Sequence, residues 1–332
     1  RGQKARAPPI WALGGLLPVL GVFALGGQRL LPELSRLYSS AAQMQTGRAC
    51  VDAVYEDLVR NRHHSGLPDM PAQAKGLSKS LVLNGVSFSY PNANRIGLRD
   101  ISLSIQAGEK IGIVGATGAG KTTLADIVLG LLAPDQGEML VDGTVINEAN
   151  QRAWMRSVGY VPQDIFLTDA PVAENIALGI PPAEINKDRL HRAARIARIH
   201  EFITEDLPDG YQTTVGERGM RLSGGQRQRI GIARAMYHDA DLIVFDEATS
   251  ALDNLTEQDV MDAIDALPGD KTVLMIAHRL STVRRCDRII VLDRGQLVGC
   301  DTWDALTQDN PAFQKIALRG ARSEERRVGK EC

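Results

Sequence analysis

Gly115 to Thr122 (G-A-T-G-A-G-K-T) has the spacing G-x-x-x-x-G-K-[ST]. Its glycines, Gly115, Gly118 and Gly120, let backbone N–H groups converge on an anion without a Cβ in the way. Ala116, Thr117 and Ala119 complete the loop, and Thr123 follows it. Lys121 is spaced to reach β- and γ-phosphates, and Thr122 to offer a hydroxyl to Mg²⁺. Leu242 to Glu247 (L-I-V-F-D-E) is an apolar run ending in two acids. Asp246 suits a hold on Mg²⁺ through water, and Glu247 suits polarisation of an attacking water as general base. A second glycine-rich loop, Leu222 to Gln226 (L-S-G-G-Q), lies between these motifs. The chemistry implied is binding of a nucleoside triphosphate and hydrolysis of its terminal phosphate.

Such a loop needs a strand before it and a helix after it. Ile111 to Val114 is a short apolar strand, and Gly120 to Leu131 reads as the helix. The helix would point its positive end at the same anion. Leu81 to Tyr90, Leu98 to Ile105, Leu242 to Phe245, Thr272 to Ile276 and Arg288 to Leu292 also read as strands. Gln163 to about Tyr237 reads as mostly helical, with the second glycine loop inside it. Strands alternating with helices predict an α/β fold, a mixed sheet with a parallel core.

The 332 residues suffice for one α/β domain and a smaller piece. A formal net charge of -2 and the lack of a basic block give no footing for nucleic-acid binding. Cys50, Cys286, Cys300 and Cys332 are scattered without a C-x-x-C pair, which opposes a disulfide framework or a zinc site. Ile10 to Gly27 has no charged residue, near the lower limit of ~17–25 residues for a spanning helix. A signal peptide or a buried soluble helix would also fit the run locally. Secretion, however, would take the hydrolytic residues away from cytoplasmic nucleotide, so a truncated transmembrane helix is expected there. Residues 28–58 turn amphipathic and suit a helix leaving the membrane; 60–78 is polar, with Pro68 and Pro71, and reads as a linker. The nucleotide-binding domain is expected over 79–320. The tail, 321–332, is expected to be foreign, because one back-translation of Arg322 to Cys332 matches a common sequencing-adapter read.

These motifs together resemble the C-terminal part of an ABC (ATP-binding cassette) exporter, over about Leu81 to Gly320. The resemblance implies a P-loop cassette with an antiparallel β subdomain and a helical subdomain, binding ATP and Mg²⁺. Tyr90, in F-S-Y-P, matches the aromatic that stacks on adenine. Gln163, in Y-V-P-Q-D, matches the glutamine that touches Mg²⁺ and couples to the membrane domain. Ser223, Gly224, Gly225 and Gln226 match the signature loop that caps the γ-phosphate held by a partner subunit. Asp253, in S-A-L-D, matches the loop linking the two sites, and His278, in I-A-H-R, the histidine that holds the γ-phosphate and water. Thr214 to Gly219, with Glu217, resembles a loop that exporters place against the coupling helices. Arg29 to Leu37 resembles the end of an exporter's last transmembrane helix, most closely in the group that flips lipids or lipid-linked oligosaccharides. The resemblance therefore implies a half-transporter in a bacterial inner membrane, its cassette facing the cytoplasm. Its partners would be a second half-transporter, a homodimer in preference to a heterodimer, membrane lipid, and an amphipathic substrate. Two other classes stand beside it: a soluble ABC-type ATPase acting on nucleic acid or in translation, and a regulatory cassette that binds ATP without hydrolysing it.

Overall fold

The computed structural model describes residues 10–65, 76–90, 96–216, 219–220, 222–247, 254–277 and 279–318. The chain divides into two units, Arg1–Asp69 and Met70–Cys332.

The first unit contains α1, Ile10–Ser65. Its helix continues through Arg60 into the stretch expected to be a linker, because no glycine or proline interrupts the chain between Gly47 and Gly66. Leu20, Val22, Phe23 and Leu25 are all exposed along it. Among the described residues no helix is long and apolar enough to cross a membrane. The side chains of residues 10–17, the first part of the expected span, lie outside the described residues.

The second unit is the mixed α/β fold expected from the strand and helix alternation. In chain order it contains β1 (Ser80–Ser89), β2 (Ile96–Gln106), β3 (Lys110–Gly115), α2 (Lys121–Val128), β4 (Gln136–Val141), β5 (Thr144–Val145), α3 (Gln151–Met155) and β6 (Val158–Val161). There follow α4 (Val172–Ile176), α5 (Lys187–Ile196), α6 (Gly224–Tyr237), β7 (Leu242–Asp246), α7 (Asn254–Asp265) and β8 (Thr272–Ile276). The unit closes with α8 (Leu280–Val283), β9 (Arg288–Asp293), β10 (Gln296–Asp301) and α9 (Trp303–Asp309).

One sheet is antiparallel, in the order β2-β1-β4-β5; the other has six strands, β10-β9-β3-β8-β7-β6, parallel except for β10. The two burial patterns differ as the two environments require. β1 alternates between buried and partly exposed residues, one face on the core. β7 and β8 are buried almost throughout, as strands covered on both faces must be. Leu77, near the start of this unit, is buried. The Asp142 carboxylate accepts the N–H groups of Ser78, Lys79 and Ser80 and holds that segment in place.

The region from Gln163 to Tyr237 is less helical than its composition suggested. Pro171, Pro181, Pro182 and Pro208 break it into α4, α5, short 3-10 and π turns, and α6. Its apolar side chains, from Val161 through Ile230 to Phe245, nonetheless form one core cluster. A second cluster lies around Leu81, Ile113, Leu124, Trp154 and Leu292, under both sheets and α2.

Candidate functional site

Parallel strands bring their C-terminal ends to one edge of the sheet, and ligands bind outside that edge. Here β8 lies between β3 and β7, with Ile276 paired to Ile113 on one side and Asp246 on the other. The loop after β3 and the two acids at the end of β7 are therefore about two strand spacings apart, roughly 10 Å. The backbone continues the alignment: Glu247 N–H donates to the Ile276 carbonyl (3.0 Å) and Ala277 N–H to that of Ile113 (3.2 Å).

The loop Gly115–Gly120 is shaped by its glycines. Gly118 and Gly120 have φ of 74° and 104°. A Cβ on Gly120 would lie 2.8 Å from the Gly97 carbonyl oxygen. Ala116, Thr117 and Gly118 are exposed, Ala119 is buried, and α2 starts at Lys121 without a side-chain cap. Among the described residues no side chain caps its first N–H groups, which leaves an anion cradle. Lys121 folds back over the loop, its Nζ donating to the carbonyls of Gly115 (2.9 Å) and Ala116 (3.4 Å). Burial pushes its pKa down, while the nearby charges of Glu247 and Asp246 oppose that shift. Thr122 is exposed, so its hydroxyl is open to a ligand; Thr123 is buried.

The acids sit in a polar cluster. Tyr160, on β6, donates its hydroxyl to Asp246 Oδ2 at 3.1 Å. Burial, then the Asp246 charge, pushes the Tyr160 phenol up and keeps it protonated. Asp126, on α2, is raised by burial and by the same Asp246 charge. Glu247 has φ 51°, the left-handed region that non-glycine residues seldom occupy. Strain of this kind persists where the surrounding structure enforces it.

The second glycine loop is a helix N-terminus. Ser223 caps α6 in a reciprocal box: Ser223 N–H donates to Gln226 Oε1 (2.7 Å) and Gln226 N–H to Ser223 Oγ (3.2 Å). Gly224 and Gly225 occupy the first turn. Those two hydrogen bonds stay within the loop and do not reach residues 115–123.

Residues 98–250 match the family model described as "ABC transporter". The chain carries an ABC transporter cassette. It is 41% identical over 289 residues to a beta-(1→2)glucan export ATP-binding/permease protein of Rhizobium meliloti, a match covering 86% of this chain and 48% of that protein. It is 40% identical over 305 residues to an ATP-dependent lipid A-core flippase of Alkalilimnicola ehrlichii, covering 91% of this chain and 50% of the relative. Among solved structures it is similar to a bacterial Atm1-family ABC exporter with ATP bound, with 37% identity and a TM-score of 0.68. That match covers 77% of this chain and 45% of the exporter chain. The chain spans about half the length of the curated relatives it matches.

Within the cassette, Gly115 to Thr123, Lys121, Asp246 and Glu247 share one edge of the six-stranded sheet. Tyr90 joins them through α2: its hydroxyl is 3.2 Å from Thr123 Oγ1, and Phe88 packs edge-on against its ring at 5.0 Å. The residue is 41% exposed, as an aromatic available for stacking must be. Gln163 is exposed just past the end of β6, the strand beside β7. Asp253, His278 and Glu217 lie outside the described residues.

The cradle, the buried lysine and the exposed Thr122 hydroxyl fit a triphosphate. Thr122, Asp246 and Gln163 offer hard oxygen donors of the kind Mg²⁺ takes together with phosphate oxygens. Among the described residues no group of three or more His, Cys, Asp or Glu could hold a metal alone. Sequence reasoning passed over Tyr160 and Asp126. The only local signal was an aromatic three residues before Gln163, which means nothing until β6 is known to pair with β7.

Proposed function

We propose that this chain is the ATP-hydrolysing part of an ABC exporter half-transporter, closing on a second copy of itself around ATP and coupling that closure to export. ATP binds with its triphosphate over Gly115 to Thr123 and its adenine against Tyr90. Lys121 leaves the loop carbonyls for the β- and γ-phosphates, exchanging neutral acceptors for charged ones. Thr122, Asp246 and Gln163 would hold magnesium, which when bound neutralises charge developing on the phosphate oxygens. Glu247 takes the proton of the attacking water. His278 would hold the γ-phosphate and the water and Asp253 would link the two sites, as the family resemblance implies, and Ser223 to Gln226 of the second copy cap the γ-phosphate.

Cleavage severs the γ-phosphate from ADP; its departure as inorganic phosphate carries away the charge that bridges the two copies, and the closed state loses its advantage over the open one. Differential affinity for ATP is the available source of work. Gln163 and Glu217 pass the motion to the membrane helices. The cargo class is a lipid, a lipid-linked oligosaccharide or another amphipathic molecule. Support comes from the functions of two relatives, glucan export and lipid A-core flipping. The expected location is a bacterial inner membrane with the cassette on the cytoplasmic side.

The observation that carries this reading is the register joining β3, β8 and β7, which sets Lys121 and Glu247 in one electrostatic neighbourhood beside the cradle. Glu247→Gln is expected to leave ATP binding intact and to slow phosphate release by about 10²-fold or more. With ATP and magnesium it should accumulate as a dimer in light scattering. Phosphate release at the unmutated rate would remove Glu247 from the role of base.

A further inference from the structure

α6 bears the signature residues at its N-terminus and Gln228 two residues beyond the last of them, Gln226. Gln228 is 5% exposed. Its Nε2 donates to two backbone carbonyls, that of Gln163 at 2.6 Å and that of Pro162 at 3.3 Å. Both partners are acceptors, so the –NH₂ end must be the one that faces them. Its Oε1 is buried and has no hydrogen-bond partner. An amide that leaves one buried acceptor unpaired is an expensive way to fill a core position that an apolar side chain could fill.

Two further residues on the same stripe of α6 touch the same segment. At Gly231 an added Cβ would lie 2.6 Å from Ile165 Cδ1 and 3.3 Å from Val161 Cγ1, so the bare helix backbone rests on residues 161–165. Arg234 Nη2 donates to the Phe166 carbonyl at 3.1 Å. Positions 228, 231 and 234 recur every three residues and therefore share one helix face. Of the three contacts, Gln228 makes the one that reaches Gln163 itself.

We propose that Gln228 is a positioning residue that ties the Gln163 loop to the signature loop through one rigid helix, so that the two loops move as a single body when nucleotide binds. The inference rests on the two-copy reading above, and it assigns Gln228 no contact with nucleotide or metal. A carbonyl displaced at residue 163 must either drag α6 with it or break the 2.6 Å hydrogen bond. Gln163 senses its own chain's nucleotide, whereas Ser223 to Gln226 engage the partner's. The strut therefore links the two sites of a pair.

Two measurements on the full chain in detergent test this. The first is hydrogen exchange without nucleotide. Gln228→Met keeps the size of the side chain and removes the donor, and it should speed exchange of the amides at 163–167 at least tenfold while leaving those of β7 unchanged. Exchange within twofold of the parent at 163–167 would overturn the strut, whether or not the copies ever pair. The second uses a Glu247→Gln background, with ATP titrated in magnesium and dimer formation read by light scattering. There Gln228→Met should raise the ATP concentration at half-dimerisation at least tenfold, with the affinity of the monomer for a fluorescent ATP analogue within twofold of the parent. Ile230→Val, at a buried position two residues along on another face, is the control for a merely structural loss. An equal shift in that control at matched melting temperature would overturn the coupling role. A Glu247→Gln parent that never pairs would overturn the two-copy reading instead, with the strut still judged by exchange. If Gln228→Met fails to fold, Gln228→Leu, which also removes the donor and buries no charge, replaces it in both experiments.

Discussion

Gly120 has φ of 104°, outside the basins open to residues with a side chain, and its missing Cβ is what lets the Gly97 carbonyl approach. Gly120→Ala therefore meets two penalties, a forbidden dihedral and a contact of 2.8 Å with rigid backbone. The backbone term alone is about 1–2 kcal/mol. The loop would relieve it by rotating, which turns N–H groups away from the phosphate position. The expected result is a melting temperature lowered by several degrees and ATP affinity lowered at least tenfold, read by calorimetry and by fluorescent-nucleotide titration. Unchanged affinity would mean that the cradle tolerates a different backbone path. At this scale the sequence is most informative where chemistry is local. Lys121, Thr122, Asp246 and Glu247 were legible because a phosphate loop and a strand ending in acids are contiguous stretches. Tyr160, Asp126 and Gln228 were not, because each acquires its role from an element distant in sequence.

The elements that hold this site include two different sheets, and one ion pair fastens them together. Arg288, at the start of β9, pairs with Glu109, which precedes β3, through two N–H···O bonds. Its Nη2 also donates to the Ser104 carbonyl of β2 at 2.8 Å. The guanidinium thereby binds the antiparallel sheet to the parallel one, next to the strand that feeds the phosphate loop. Burial pushes the Glu109 carboxyl up, but the Arg288 hydrogen bonds, the Gln106 N–H and the Arg288 charge outweigh it and leave the carboxyl below its ordinary range. A carboxylate with a lowered folded-state pKa stabilises the fold at pH values above its unfolded value, near 4.5, and the contribution fades as acid titrates it in the folded state. Arg288→Met should cost about 1.5–3 kcal/mol at pH 7, the range for hydrogen bonds to a charged group. Urea unfolding at pH 7 and pH 3.5 should show the deficit shrinking with acid, since protonated Glu109 no longer needs its partner. A deficit independent of pH would point to lost packing by the arginine stem. The strands flanking this junction differ in how plainly they read from sequence. β3, β7, β8 and β9 are apolar runs buried on both faces. β4 is half exposed, β6 has four residues and β10 is a partly exposed edge, so none carries a strong period.

At the scale of the molecule, two helix N-termini carry glycine-rich loops, in different settings. α2 presents its uncapped end beside Lys121, whereas α6 presents Gly224 and Gly225 with the Ser223 and Gln226 side chains paired in their own box. Both ends favour anions. If the second end is supplied by another copy, hydrolysis is a property of the pair, which no single-chain pattern could have displayed. The net charge of -2 sets little long-range repulsion against pairing. Diluting the chain at saturating ATP and magnesium should then lower the rate per molecule roughly in proportion to concentration, below the dimer dissociation constant. Above that constant the rate should reach a plateau. Adding excess Lys121→Met chain, which lacks the phosphate-binding ammonium but keeps its signature loop, should restore activity to dilute parent chain, because each lent α6 completes a parent site. A rate per molecule flat from nanomolar to micromolar protein, with no gain from the added variant, would make this cassette a self-sufficient ATPase and deprive the signature loop of its proposed task in trans.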